Sequence, residues 1–214
     1  MSVVTVPPPH DDLAEVLDAS PPGATVACTG PSAATDAVAA TAGFVPVREL
    51  VELRRPLPLG PDRSGPAAPV RPFRPGHDEA AWLAVNNRAF AWHPEQGGWD
   101  ADRLAAALAE RWVDLDGFVV HDGPDGLDGF CWTKVHPATA ADPALGEIFV
   151  VGVDPSTHRR GLGRALVVAG LDHLTATGLG TAMLWVEADN DPARRLYDDL
   201  GFGIQTRKRW YRRP

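Results

Sequence analysis

The stretch Val151-Gly152-Val153-Asp154-Pro155-Ser156-Thr157-His158-Arg159-Arg160-Gly161-Leu162-Gly163-Arg164 leaves an apolar run, crosses a proline and enters a basic, glycine-containing turn. A helix opens directly after it. Gly161 and Gly163 carry no Cβ, so the backbone can approach a ligand closely, and the first N–H groups of the following helix have no intrahelical partner. Those donors and the positive end of the helix dipole favour a diphosphate. The spacing is neither GxxxxGK[ST] nor GxGxxG, so mononucleotide and dinucleotide loops fit badly. The reading is a pyrophosphate cradle at a strand-to-helix turn, built from Val151, Gly152 and Val153 on the strand and from His158, Arg159, Arg160, Gly161, Leu162, Gly163 and Arg164 in the turn.

Upstream of the cradle, Glu147 to Val153 is apolar on both faces and reads as a central strand. Gly117 to His121 and Gly129 to His136 flank the turn-rich Asp122 to Asp128 and read as a hairpin. Val70 to Phe73 starts a strand. Trp82, Val85, Ala89 and Phe90 follow helical spacing, and Asp100 caps a second helix whose Leu104, Leu108 and Trp112 face one way. Downstream, a strand precedes the helix Pro192 to Leu200, with Asn190 or Asp191 as cap and Gly201 as its stop. The sum is an α/β (α+β) domain over residues 70–214.

The two ends of the chain align without a gap: Leu13 falls on Leu171, Gly43-Phe44 on Gly201-Phe202, and Arg54-Arg55-Pro56 on Arg212-Arg213-Pro214. This is an internal repeat. Each copy reads as strand, helix, Gly-Phe exit and closing strand. Ser32 and Ala39 stand where the later copy has Asn190 and Tyr197, so only the second copy has the chemistry. Residues 1–56 therefore form a partial repeat, and the proline-rich residues 57–69 a linker.

The chain has 214 residues and ample apolar content for a core. No apolar run is long enough to span a bilayer and the start has no secretory pattern, so the expected compartment is the cytoplasm, with no membrane partner. A net charge of −8 disfavours nucleic acid as a partner. The basic tail Arg207-Lys208-Arg209 with Arg212-Arg213 reads as the solvated side of a last strand. Cys28 and Cys131 form no spacing pattern and read as reduced core thiols. His93, His136 and His158 lack metal-ligand spacing, so no metal is expected. The oligomeric reading is a monomer.

The cradle resembles the V-x-V-x-P-x-x-[QRH]-R-x-G-x-[GA] signature of the GNAT acetyltransferases. That resemblance implies a central mixed β-sheet flanked by helices, acetyl-CoA as cosubstrate, and a small-molecule amine as acceptor. A narrower resemblance rests on Val85-Asn86-Asn87, Ala89-Phe90, His93-Pro94-Glu95-Gln96-Gly97-Gly98-Trp99, Trp132-Thr133-Lys134-Val135-His136-Pro137 and Gly146 to Pro155. These look like the mycothiol synthase family, over most of residues 71–214. That family has two tandem GNAT domains and acetylates the cysteinyl amine of cysteinyl-glucosaminyl-inositol. The sequence departs from the family pattern in the front half of the first domain, in Trp185 where the family has tyrosine, and in a short segment from Gly178 to Ala182.

Amine acetylation needs a base for the amine and an acid for the departing thiolate. The resemblance implies Glu147 as the base, acting through water, and Tyr197 as the acid. It implies Asn190, Ala193 and Arg194 as further acetyl-CoA contacts, and Glu95, Lys134, Glu147 and Trp185 as acceptor contacts. Lys134 and Lys208 are the lysines among 20 Lys and Arg residues, and a compact ammonium suits sugar or inositol hydroxyls. A GNAT enzyme acting on a protein N-terminus or another metabolite would keep the CoA residues and use Glu95 and Lys134 otherwise. A nonenzymatic acetyl-CoA-binding protein would be expected to lose some of Glu147, Asn190 and Tyr197.

Overall fold

The computed structural model describes residues 3–7, 9–60, 65, 67–93, 95–157 and 161–214. In chain order the elements are β1 (Val3–Val6), α1 (Leu13–Ala19), β2 (Thr25–Thr29), α2 (Ala33–Thr41), β3 (Val45–Pro56), β4 (Arg71–Pro72), α3 (Glu79–Ala89), α4 (Ala101–Leu108), β5 (Phe118–Gly123), β6 (Gly126–His136), β7 (Leu145–Val153), α5 (Leu162–Ala176), β8 (Thr181–Glu187), α6 (Asp191–Asp199) and β9 (Gly203–Arg212). The chain divides into two units, Met1–Arg54 with Trp185–Pro214, and Arg55–Leu184.

In the unit Arg55–Leu184 the strand order is β8-β7-β6-β5-β4. Neighbours pair antiparallel from β4 to β7, and β7 pairs parallel with β8. A parallel pair needs a crossover, which α5 supplies. One sheet face is covered by aromatic packing: Phe118 stacks on Trp132 at 4.3 Å, and Trp82 meets both edge-on. Trp82, Phe118, Phe130 and Trp132 are fully buried. The opposite face carries α5, and glycines let it lie close. A Cβ on Gly170 would fall 2.7 Å from Cys131 Sγ, and one on Gly146 would fall 2.7 Å from Leu174 Cδ2. Cys131 and Cys28 are free and buried, and burial pushes their thiols up to about 12 and about 11.

Two expectations change here. The second helix ends at Leu108, so Trp112 lies beyond it. The chain turns at Glu110 and Val113, which lays the Trp112 ring against Trp132 and Phe149 at 5.4 and 5.0 Å. Tertiary packing overrides helical continuation. The strand starting at Val70 is also only two residues long.

In the unit Met1–Arg54 with Trp185–Pro214 the order is β1-β2-β9-β3, with β1 parallel to β2 and the rest antiparallel. The repeat keeps one displacement, 158, as in 171 less 13. Helix α2 at 33–41 thus maps onto α6 at 191–199. Their exits also match: Phe44 N–H donates to Ala39 O at 2.9 Å and Phe202 N–H to Tyr197 O at 3.0 Å. Both preceding glycines, Gly43 and Gly201, have positive φ, 77° and 82°. The closing strands β3 and β9 pair with each other. Val45 opposes Arg212 and Arg54 opposes Gly203, with register shifts at Pro46/Arg48 and Glu52/Leu53.

The basic tail is not a free solvated face, although Arg212 is exposed. Arg207 and Arg209 each hold Glu49 at 2.5 Å, Arg209 also reaches Asp36, and Tyr211 donates to Asp36 at 2.6 Å. Arg213 donates to the carbonyls of Ser20, Leu17 and Ala42. These arginines close the unit by binding carboxylates and helix-end carbonyls from its N-terminal part.

Candidate active site

The exit from β7 is fixed before the cradle begins. Asp154, 4 % exposed, takes Arg88 Nε from α3 at 3.0 Å, Ser156 N at 2.9 Å and Ser156 Oγ at 2.8 Å. The Arg88 guanidinium, foremost, holds its carboxyl down at about 2. His158, Arg159 and Arg160 lie outside the described residues. Gly161 then caps α5 at φ 88°, with no side-chain cap. A left-handed residue is the usual province of glycine. The first-turn N–H groups of a helix have no partner within the helix and point out from its start, here beyond Gly161. Gly163 differs: a Cβ there would meet Val153 Cγ2 at an ordinary 3.7 Å. Protein packing does not demand that glycine. Gly152 is demanded by packing, since a Cβ would lie 2.8 Å from the Phe130 ring and 3.2 Å from Phe90. Arg164 lies beside Gly65.

The ladder between β7 and β8 covers two pairs, Gly146 with Ala182 and Glu147 with Met183. From Ile148 to Val153 the β8-side edge of β7 has no ladder partner among the described residues. Its alternate N–H and C=O groups are strand donors and acceptors in need of an extended partner. An amide-bearing chain such as pantetheine suits that edge, as a phosphate suits the start of α5.

Glu147 sits at the last ladder pair, 8 % exposed. On its other side β6 places Lys134 directly opposite. A register shift between Trp132 and Thr133 leaves Phe149 as an extra residue in β7, the device by which bulges re-aim side chains beside functional sites. The Lys134 ammonium lies over the Trp112 ring at 4.6 Å and over Phe149 at 5.5 Å. Such contacts fix a flexible cation in place. His136 Nε2 lies 2.7 Å from Glu147 Oε2. The sequence assigns His136 no site role beyond the lack of metal-ligand spacing; the available signal is that it stands two residues beyond Lys134 on the same strand face.

The loop after α3 presents Glu95, which is exposed. Its neighbours supply the scaffold. Fully buried Asn86 exchanges hydrogen bonds with Gln96, at 2.9 Å to its carbonyl and 2.9 Å to its side chain. Asn87 does the same with the backbone of Trp99, at 2.7 and 2.9 Å. The Glu95 carbonyl accepts from Trp99 Nε1 at 3.2 Å and from Arg103 at 2.6 Å. A Cβ on Gly97 would fall 2.3 Å from Phe90 O, so glycine is compulsory there.

The remaining predicted residues belong to the other unit. Asn190 caps α6, its Oδ1 accepting from Ala193 N at 3.2 Å. Arg194 donates to Ala188 O at 3.0 Å. Tyr197 is buried at 7 % exposed and edge-on to Phe202 at 5.7 Å, while Trp185 is half-buried. In the first copy Ser32 caps α2 as Asn190 caps α6. Asp36 there stands at the equivalent of Arg194, and its carboxylate would repel a phosphate. The structure thus gathers Glu147, Lys134 and His136 on adjoining strands, and Val151, Gly152, Val153, Gly161, Leu162, Gly163 and Arg164 along one strand and helix start. Among the described residues no group of three or more His, Cys, Asp or Glu side chains could hold a metal, and no helix is long and apolar enough to cross a membrane.

Residues 77–202 match the model of the acetyltransferase (GNAT) family. The chain is 53 % identical over 167 residues to a mycothiol acetyltransferase of Acidimicrobium ferrooxidans, covering 76 % of this chain and 53 % of that one. It is 44 % identical over 196 residues to the mycothiol acetyltransferase of Segniliparus rotundus, covering 88 % of this chain and 72 % of the relative. The chain therefore spans about half to seven-tenths of the length of these relatives. Among solved structures it is similar to a GCN5-related N-acetyltransferase from Sphaerobacter thermophilus, with TM-score 0.64, 24 % identity, and 89 % and 59 % of the two chains covered.

Proposed function

The chain belongs to the GNAT acetyltransferase family and, within it, to the mycothiol acetyltransferases, and from that premise we propose that it transfers acetyl from acetyl-CoA to the cysteinyl amine of cysteinyl-glucosaminyl-inositol. The observation that carries this is Glu147, a buried carboxylate at the foot of the unpaired β7 edge, opposite Lys134. Acetyl-CoA supplies a thioester carbonyl open to attack by an amine. The β7 edge from Ile148 to Val153 aligns its pantetheine arm, and the start of α5 from Gly161 to Arg164 receives its diphosphate. His158, Arg159, Arg160, Asn190, Ala193 and Arg194 complete the cosubstrate set. Glu147 takes the amine proton through water, and Tyr197 gives a proton to the departing thiolate. Glu95, Lys134 and Trp185 bind the acceptor, the ammonium serving hydroxyl groups. The acceptor is a small molecule rather than a nucleic acid or membrane, the protein acts as a monomer, and the cytoplasm is its compartment. Residues 70–214 are the catalytic domain, 57–69 the linker, and 1–56 a partial repeat without catalytic groups.

The test offers acetyl-CoA with cysteinyl-glucosaminyl-inositol, plain cysteine and N-terminal peptides side by side. Preference for the first is expected. Preference for a peptide or simple amine by about tenfold, roughly 1.4 kcal/mol of discrimination, would assign the chain another acceptor. Glu147→Gln is expected to lower kcat by about a hundredfold or more.

A further inference from the structure

We propose that His136 carries the proton that Glu147 removes from the acceptor amine out to solvent, a positioning and relay role that rests on the assignment of Glu147 as the base. A base must be emptied once per turnover. The Glu147 side chain is 11 % exposed and His136 37 % exposed, with 2.7 Å between Oε2 and Nε2. The more exposed partner therefore stands against the buried one, and its ring offers a second nitrogen at the far side. Imidazole is the side chain suited to gaining and losing a proton near neutral pH. The groups around Glu147 leave few other exits. β6 brings Lys134 and His136, of which the lysine is an ammonium held over Trp112 and Phe149. β8 brings Ala182 and Met183, neither of which ionises. Gly146, beside Glu147, packs on Leu174 of α5.

The step balances as proton transfer alone. The amine N–H bond breaks as an O–H bond forms on the intervening water, and that water gives one of its own protons to Glu147, forming an O–H bond there. In the resting pair His136 Nε2–H donates to the carboxylate. Once Glu147 is protonated the imidazole exchanges through solvent to its Nδ1–H tautomer, the Glu147 O–H bond breaks as an N–H bond forms at Nε2, and the Nδ1 proton leaves to water, which restores the carboxylate and the Nε2–H imidazole.

A merely structural histidine would orient Glu147, and glutamine can imitate that. Its Nε2 reaches as far as the imidazole Nε2 and donates a hydrogen bond, yet it accepts no proton. His136→Gln and His136→Ala are therefore both expected to lower kcat by about a hundredfold, the lower end of the range for a positioned proton-transfer group, with the KM for acetyl-CoA unchanged. Added imidazole is expected to restore kcat in His136→Ala and to leave the wild type and Glu147→Gln unaffected. Wild-type kcat in His136→Gln, or variant rates that ignore imidazole, would overturn the relay while leaving the base assignment standing. Wild-type kcat in Glu147→Gln would instead overturn the base assignment, and the relay with it.

Discussion

Replacing Asp154 by asparagine removes the charge that ties the end of β7 to α3 while keeping one oxygen for Ser156. The carboxyl, 4 % exposed, sits at about 2 where an ordinary aspartate titrates at 3.8, chiefly through its Arg88 hydrogen bonds. A difference of that size corresponds to about 2 kcal/mol of native stability at neutral pH. Arg88 is 53 % exposed on its side chain, and water around it screens part of the pair, so about 1–2 kcal/mol is the expected loss. The sign is fixed by the lowered folded value. The contribution is complete above the unfolded titration near 3.8 and disappears as pH falls through about 2. Urea unfolding of wild type and Asp154→Asn at neutral pH is expected to show that gap, narrowing steadily under acid. Because the turn to Gly161 starts here, the KM for acetyl-CoA is expected to rise as well. A gap below about 0.5 kcal/mol at neutral pH, within the usual scatter of surface substitutions, would refute the argument. So would a gap of full size that ignores pH, because its cause would then be packing rather than charge.

Gly161→Ala forces an alanine into φ 88° and is expected to cost about 1–2 kcal/mol by thermal unfolding, whereas Gly163→Ala, with only an ordinary contact at 3.7 Å, is expected to leave stability unchanged and weaken acetyl-CoA binding by calorimetry. Gly152→Ala drives a methyl into the Phe130 ring and is expected to cost about 1–3 kcal/mol in chemical denaturation. Lys134→Met keeps an apolar stem under Trp112 and is expected to raise the KM for the acceptor while sparing that for acetyl-CoA.

Elements with a local signature were legible in the sequence. The Gly-Phe exits of the two copies mark the same positive-φ helix stop twice, and the boundaries of the helices they end fall one displacement apart. The turn into α5 is legible from its glycines, although Gly161 and Gly163, which read alike in the sequence, have different duties. Gly161 serves backbone conformation and Gly152 serves core packing, while Gly163 has neither duty within the protein. What a single strand cannot display is its partner. The basic tail reads as a wet face until Glu49 and Asp36, distant in sequence, are brought beside it. The strand Val3–Val6 escaped notice because it is short and largely exposed, and its parallel pairing with β2 is what makes it a strand. The pairing of His136 with Glu147 depends on a hairpin register that includes the extra residue Phe149.

The pairing of β3 with β9 has the geometry of an isologous contact, the kind by which two identical subunits meet around a two-fold axis. Each copy offers the other the same strand, and Leu50 and Lys208, equivalent positions, oppose each other at the axis. In a true homodimer every substitution appears twice, on both sides of that axis. A single chain escapes the doubling. Glu49 and Arg207 are also equivalent positions, and they form an ion pair at 2.5 Å. Two identical subunits would place glutamate against glutamate, or arginine against arginine, at that spot. Covalent linkage has thus allowed the axis to become polar, with opposite charges on its two sides where symmetry would have required repulsion.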